Sequence, residues 1–384
     1  MLAGAAKVDI TPTSPCRLAG YASRDHGHES VHDPLSLRAL YVSSNGVDAL
    51  LITADVIWFT EDILDRVTPL LSEQLGLDSR CIVFAGSHTH SAPVPRGRPE
   101  NRDWVQRLED QALSAAALAK SRLTPAVIRS ARGTSDIGVN RRELTGDGRI
   151  ILGINPDGPC NKELIVTEFA DKNGTPIATI GNFACHGTTL SHRNYDLSGD
   201  WCGVASIAIE ATGNGSPFLF LNGGAANICP RIDRQESFDP VDSLASEFVA
   251  DYGQTLGLLE VAVEDDLIRG VDRYVILPRK SRDIEDGKGR LAKVRIQGLR
   301  IGPIRIVTFP GEVFSQTAEA VKSKFTDSLV MVCSYASGGS AGYVPVSEAY
   351  DTGGYEVRVS PYSEEAEAVL RSEFMALITV LDTP

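Results

Sequence analysis

A chain of 384 residues with 42% hydrophobic and 23% charged residues has the make-up of a folded globular protein, and its length suits one large domain. Lys+Arg 37 against Asp+Glu 50 leave a formal net charge of −13; such a surface repels phosphate backbones, no basic run offsets it, and nucleic acid is excluded as a partner. No apolar stretch approaches the ~18–20 residues of a membrane span, and the opening MLAGAAKVDITP carries no secretory signal, so the expectation is a cytoplasmic protein without a stable membrane anchor.

The elements alternate between strand and helix along the chain. Leu37 to Val42 and Val47 to Ile57 read as strands around a Ser-Asn-Gly turn. Thr60 is placed to cap a helix with Ile63, Leu64, Val67 and Leu71 on one face, and Pro69 is placed to kink it. Cys81 to Ala85 reads as a short buried strand. Asp103 to Leu123 reads as a helix with Leu108, Ala112, Ala115 and Ala119 on one stripe. Ile165 to Phe169 and Ile177 to Phe183 form a hairpin around Lys172-Asn173-Gly174. Pro217 to Leu221 is a strand, Val241 to Leu259 a helix, and Val294 to Thr308 a strand pair turning at Gly302-Pro303. Phe314 to Phe325 and Ser363 to Leu381 are amphipathic helices, the second capped by Ser363, and the charged stretch Arg279 to Arg290 is an exposed loop. This order implies an α/β fold of mixed α+β character, with residues 1–384 as a single domain.

Seven scattered cysteines without a CxxC pair fit a reducing compartment and exclude a cysteine-rich zinc finger. The seven histidines are more informative. His88 and His90, in Ser87-His88-Thr89-His90-Ser91, follow directly on a strand, and on extended backbone they would point the same way about 7 Å apart. The spacing suits two ligands of one metal, or one ligand and one proton carrier, or a plain pair of loop histidines. His186 leaves another strand in Ala184-Cys185-His186-Gly187, and a zinc site needs imidazoles converging from separate strands. Glu312, in Pro310-Gly311-Glu312, sits at a strand-to-helix corner where its plain role is helix charge complementarity. Tyr343 follows the glycine-rich Gly338 to Gly342. In Gly223 to Pro230 a strand runs into a small-residue turn; Cys229 is a nucleophile candidate there, with small size as the plain explanation. Asp55 and Asp200 are candidates for fixing an imidazole tautomer from behind, Asp200 alternatively for capping a helix. His26, His28 and His32 are assigned to a loop over the substrate path, and His192 to no role.

In order, these segments resemble the neutral/alkaline (non-lysosomal) ceramidase family. Ser87 to Pro93 is similar to its "GTHTHSGP" signature, Asn140-Arg141 to its "NR" pair, and Asn182 to Thr188 to "NWFAxHPTS". Pro310 to Phe314 is similar to "PGEFT", and Gly342 to Tyr350 with Tyr355-Glu356 to "HYxTTxEEYxxQxYE". The opening Lys7 to Pro12 and Ala19 to Ala22 are similar to the family's first segments. The resemblance implies a layered sandwich of mixed β-sheets flanked by helices, here without the family's C-terminal immunoglobulin-like domain. It also implies one Zn2+ held by His88, His186, Glu312 and Tyr343, with His90 and Arg141 acting on a scissile amide; Tyr343 is in addition a candidate for stabilising the oxyanion beside Arg141. The family's "GDxSPN" turn corresponds to Ala226 to Arg231, which places Asn227 near substrate and puts Cys229 where the family has serine.

The expected activity is therefore zinc-dependent hydrolysis of an N-acyl amide by a metal-activated water. An acidic, unanchored chain suits a smaller soluble N-acyl substrate better than ceramide itself. The alternatives are a cysteine hydrolase using Cys229, ester or lactone hydrolysis at the same zinc, and a non-catalytic zinc-binding protein. Homo-oligomerisation is compatible with the sequence and not required by it.

Overall fold

A computed structural model describes residues 1–261, 265–339 and 341–383. Three sheets form its framework. The first joins Leu2–Asp9, Ser36–Ser44 and Val47–Ala54 in antiparallel order and then Ile82–Gly86 in parallel. The second joins Val127–Thr134, Glu163–Ala170 and Pro176–Phe183 in antiparallel order and then Phe218–Asn222 in parallel. The third joins Ile268–Pro278, Leu291–Ile301 and Ile304–Thr308, again antiparallel, and then Leu329–Cys333 in parallel. A hairpin of Gly138–Leu144 with Ile150–Asn155, extended by Ile228–Pro230, lies beside them.

Several strands are buried on two faces, which is why Ser36–Ser44, Ile82–Gly86, Phe218–Asn222 and Ile304–Thr308 read as nearly continuous apolar runs. In Ser36–Ser44, Leu37, Ala39 and Tyr41 pack among the helices Glu61–Leu75 and Arg102–Ser121, while Leu40 and Val42 enter a central core. That central core also takes Ile165, Ile180 and Leu221 from the second sheet and Leu299, Ile306 and Met331 from the third. The helices Asp200–Thr212 and Asp239–Leu256 cover the outer side of the second sheet, and Ala366–Leu381 covers the third. This is the mixed α/β layering expected from the sequence.

The differences are local and have physical causes. Val47–Ala54 ends three residues before Ile57 because Val56 and Ile57 turn out of the sheet, and their carbonyls accept hydrogen bonds from His88. The helix Glu61–Leu75 runs through Pro69, and the Thr60 side chain makes no capping bond. The last helix starts at Ala366 rather than Ser363, whose hydroxyl bonds Glu365. Arg279 to Arg290 contains a short helix, Ser281–Glu285, with Asp283 paired to Lys288. The polar strands Val127–Thr134, Gly138–Leu144, Ile150–Asn155 and Ile268–Pro278 were not anticipated, because charged and glycine residues interrupt their apolar pattern.

Candidate metal centre

The parallel strand of each sheet ends at one place, and backbone bonds tie the exits together. Thr89 bridges Gly187, and His90 N donates to Gly187 O at 3.1 Å, so the two histidine segments lie side by side. Gly86 N donates to Tyr335 O at 3.1 Å, bringing in the exit of the third sheet. The Asn222 amide donates to Ser87 O at 3.0 Å and Cys185 O at 2.8 Å, gripping the residue before each histidine. Glu312 pairs with Tyr343 in a two-residue parallel bridge, which makes these two side chains neighbours despite their separation in sequence.

Imidazole and carboxylate donor atoms of His88, His186 and Glu312 consequently lie within 4.8 Å of one another, all three buried. Their hydrogen bonds define which atoms are free to bind. His88 Nδ1 donates to Ile57 O at 3.0 Å, and His186 Nδ1 donates to Ala225 O at 2.8 Å and Ile228 O at 2.9 Å. A carbonyl only accepts, so each Nδ1 carries the proton and each Nε2 presents a lone pair. His186 Nε2 faces Glu312 Oε2 at 3.2 Å. Two unprotonated acceptors at that distance repel unless a proton or a cation is shared between them, so this donor set fits a divalent metal. Arg141 Nη1, 3.0 Å from His186 Nε2, addresses the same lone pair. The two demands are exclusive, and a metal there requires Arg141 to rely on its other partners, Tyr343 and Glu356.

Electrostatics agree. Burial pushes His88 down to about 3 and holds His186 well below the ordinary imidazole range, which keeps both neutral and able to coordinate. Burial raises the Glu312 carboxyl and the Tyr343 phenol, a cost that a divalent cation reverses by favouring their anions.

The surroundings orient this group. His88 has a left-handed backbone (φ 68°), not the extended one expected of an HxH spacing. That bend brings His90 Nε2 to 3.3 Å from His88 Nε2, with ring centroids 4.9 Å apart. Gly20, at φ +87°, lies against the other side of the His90 ring. The Arg24 guanidinium, buried without a carboxylate partner among the described residues, donates to the carbonyls of Ala19, His90 and Ser191 and so binds the three loops that surround His90. Tyr335 stacks on His88 at 3.6 Å between centroids and donates to Glu312 Oε2 at 3.2 Å. Arg141 Nε donates to Glu356 Oε1 at 2.8 Å, and Arg142 reaches the other oxygen of this fully buried carboxylate at 2.7 Å. Arg141 Nη2 is 3.2 Å from Tyr343 Oη. Tyr335, Glu356, Asn222, Gly20 and Arg24 were assigned no role from the sequence. The signals were present for three of them: Gly20 and Glu356 fall inside the quoted motifs, and Tyr335 lies at a strand exit.

Several assignments need correction. Asp55 does not orient an imidazole: its carboxylate accepts from Ser36 N and from Arg38, while a backbone carbonyl serves His88. Asp200 accepts from the backbone N–H groups of Thr189, Leu190 and Trp201, so it anchors the loop after His186 to the start of a helix; burial pushes it up to about 6. Asn227 accepts from Ser315 N, and its carbonyl accepts from Arg141 N, which makes it a tie behind the site rather than a substrate contact. Cys229 is buried in a strand with no imidazole partner among the described residues, and burial pushes its thiol far up, so it is not a poised nucleophile. His26 stacks on Tyr195 and His32 on Phe238, and His28 Nδ1 accepts from Cys16 N. Among the described residues, none of these three lines the cleft, whereas His192 lines a chamber beside it. Ser340, in the glycine-rich loop before Tyr343, lies outside the described residues.

The centre forms the floor of a cleft of about 410 Å³ walled by Leu18, Ile57, Trp58, Val94 and Tyr355, a volume typical of small-molecule sites. A second chamber of about 410 Å³ opens from it past His90 and Tyr343. Among the described residues no helix is long and apolar enough to cross a membrane.

No protein-family profile matches the chain. Curated relatives include neutral ceramidase B of Dictyostelium discoideum, 27% identical over 237 residues, which are 55% of this chain and 32% of that protein. Neutral ceramidase of Oryza sativa subsp. japonica is 25% identical over 228 residues, 54% of this chain and 28% of that protein. These matches span about a third of the relatives' length. The crystal structure of neutral ceramidase from Pseudomonas aeruginosa superposes with a TM-score of 0.81 at 18% identity, covering 99% of this chain and 74% of that one. A structure titled as a ceramidase complexed with C2 gives 0.81 at 17% identity, over 99% and 75%.

Proposed function

We propose that this chain, which belongs to the neutral ceramidase family, is a zinc-dependent hydrolase that cleaves the amide bond of a small N-acyl compound. The observation that carries the reading is the convergence of His88, His186 and Glu312 on one point, with His88 and Glu312 lining an open cleft and Tyr343 paired beside Glu312. The site draws on segments from Gly20 to Glu356, which supports treating the chain as one catalytic unit.

In this reading His88, His186, Glu312 and Tyr343 hold the zinc. When bound, the ion supplies Lewis acidity and makes water nucleophilic near neutral pH. His90 carries the proton traffic. Its Nε2–H is directed at the His88 lone pair that coordination would consume, so loading the centre frees that group for the reacting atoms. The ring returns the proton to the departing amine nitrogen. Arg141 stabilises negative charge on the carbonyl oxygen: Glu356 fixes its Nε, and the nitrogen now on His186 becomes available to substrate. Tyr343 assists from beside Arg141. Tyr21, edge-on to His90 at 5.0 Å, and Trp58 wall the reacting groups from bulk water.

The open cleft above the three donors favours a catalytic over a closed structural metal site. The test is turnover of a panel of N-acyl amines by purified protein, with metal content measured on the same sample. Full activity in metal-free protein after chelation refutes the reading.

A further inference from the structure

The second chamber bears on the chemistry of the amine half of the substrate, an inference that rests on the hydrolase reading above. The two chambers share Gly20, Tyr21, Ala22, His90, Tyr343 and Tyr355, so the reacting bond belongs at their junction. The first holds Leu18, Ile57, Trp58 and Val94 beside Arg98 and the metal-site side chains, and its apolar wall has room for the acyl half. The second presents Arg141, Thr188, His192, Asp233 and Arg234 and suits a polar amine half.

We propose that Arg234 binds a carboxylate on the amine portion, so that the substrates are N-acyl amino acids. Arg234 adopts a left-handed backbone (φ 55°), costly for a long side chain. Apart from two asparagines, the other non-glycine residues with positive φ among those described are His88, Asp200, Tyr335 and Ser337. His88 and Tyr335 belong to the centre, and Asp200 anchors the loop after His186. The strained Arg234 is held in place by backbone bonds to that same loop: its N–H donates to Thr188 O at 2.9 Å, and the next residue bonds Thr189 O.

Its side chain is equally restrained. Nε lies 2.7 Å from Asp233 Oδ2, and Nη2 donates to Leu152 O at 2.9 Å. Asp233 is in turn held by the Thr188 hydroxyl at 2.7 Å. Nη1 has no acceptor among the described residues and the side chain is 38% exposed, so a guanidinium edge held in orientation by Asp233 and Leu152 is open to solvent and to a ligand in the chamber it lines. Both Asp233 oxygens are already engaged, which leaves the arginine rather than the aspartate to read the ligand. Arg98, Arg141 and Arg234 line the two chambers against Asp233 and Glu312, with Arg141 also paired to Glu356. In the reaction the oxygen of water bonds to the acyl carbon as the C–N bond breaks. Its hydrogens divide between the new carboxylic acid and the freed amino group, and no co-reactant is needed.

The test compares N-hexanoylglycine with N-hexanoylethanolamine, which differ in a carboxylate against a hydroxymethyl group, by kcat/KM and by calorimetric binding to the holoenzyme. The glycine conjugate is expected to be preferred by about tenfold or more. Arg234→Gln should bring that ratio near unity, and Arg234→Lys, which keeps the charge beside Asp233, should retain part of it. Turnover of both compounds without preference, or a preference that survives Arg234→Gln, overturns the inference and leaves the hydrolase reading intact. Selective binding of N-hexanoylglycine that Arg234→Gln abolishes, without turnover, supports the inference and counts against the hydrolase reading. Neither binding nor turnover of either compound overturns the inference.

Discussion

Replacing Gly20 with alanine tests whether the His90 ring is set by its packing. A Cβ at this position would lie 2.3 Å from His90 Cγ and 2.4 Å from Nδ1, so the ring must retreat by roughly 1 Å to reach ordinary contact. It has little room to do so. His88 Nε2 is 3.3 Å away on one side, the Tyr21 ring lies edge-on at 5.0 Å, and Arg24 holds the His90 carbonyl. Misplacing a proton-transfer group by that amount costs on the order of 100-fold in rate. The left-handed backbone and the overpacking together should cost about 2–5 kcal/mol of stability. Because His88 and His186 are anchored by backbone carbonyls elsewhere, metal content should be unchanged. The assay is kcat for Gly20→Ala on whichever N-acyl amide is cleaved, with elemental analysis and urea denaturation of the same preparation. A kcat within about threefold of wild type would show that His90 is not held by this contact.

Further outcomes follow from the same geometry. His88→Ala, His186→Ala and Glu312→Ala should each abolish stoichiometric zinc, read by elemental analysis, whereas Cys229→Ser should keep both metal and activity. Tyr335→Phe retains the stack on His88 but loses the bond to Glu312, and should weaken zinc binding by about 10–100-fold in a chelator competition. Glu356→Gln weakens the anchor of Arg141 and Arg142, leaves two buried cations underneutralised, and should cost about 3–5 kcal/mol in denaturant unfolding along with most of kcat. Burial raises the Glu356 carboxyl, but the charges of Arg141 and Arg142 outweigh this and hold it below the ordinary glutamate value. Its contribution to stability is therefore complete above about pH 4.3 and lost as pH falls through the lower folded value; Glu356→Gln should flatten that acid limb of the stability profile.

Much of the candidate site was legible from the chain because its chemistry sits where strands stop. An apolar run such as Ile82–Gly86 or Pro176–Phe183 can be recognised by its composition, and a histidine directly after it stands out against small neighbours. Glu312 and Tyr343 sit at a corner and after a glycine-rich loop that do not single them out, and only the resemblance to the ceramidase motifs marked them as ligands. Local periodicity likewise located the long helices and several buried strands, since burial on both faces demands unbroken Leu, Val and Ile, although the buried strand Leu329–Cys333 went unread.

What periodicity does not encode is which distant groups meet. Asp55 looked like a partner for an imidazole, but Arg38 on the neighbouring strand claims it, a pairing set by the register Arg38↔Thr53 that brings the strand end alongside. Cys229 looked reactive until strand pairing with Val139 enclosed it. His192 looked idle until the loop it occupies folded over the second chamber. Glu356, Tyr335 and Arg24 gain their roles from contacts spanning 215, 23 and 66 positions respectively. Residue type and local pattern thus settle which side chains can coordinate, shuttle protons or pack. Only the packing of three sheets around a common core determines which carbonyl, carboxylate or guanidinium each one faces, because hydrogen bonds and charges act over a few ångströms of space regardless of distance along the chain.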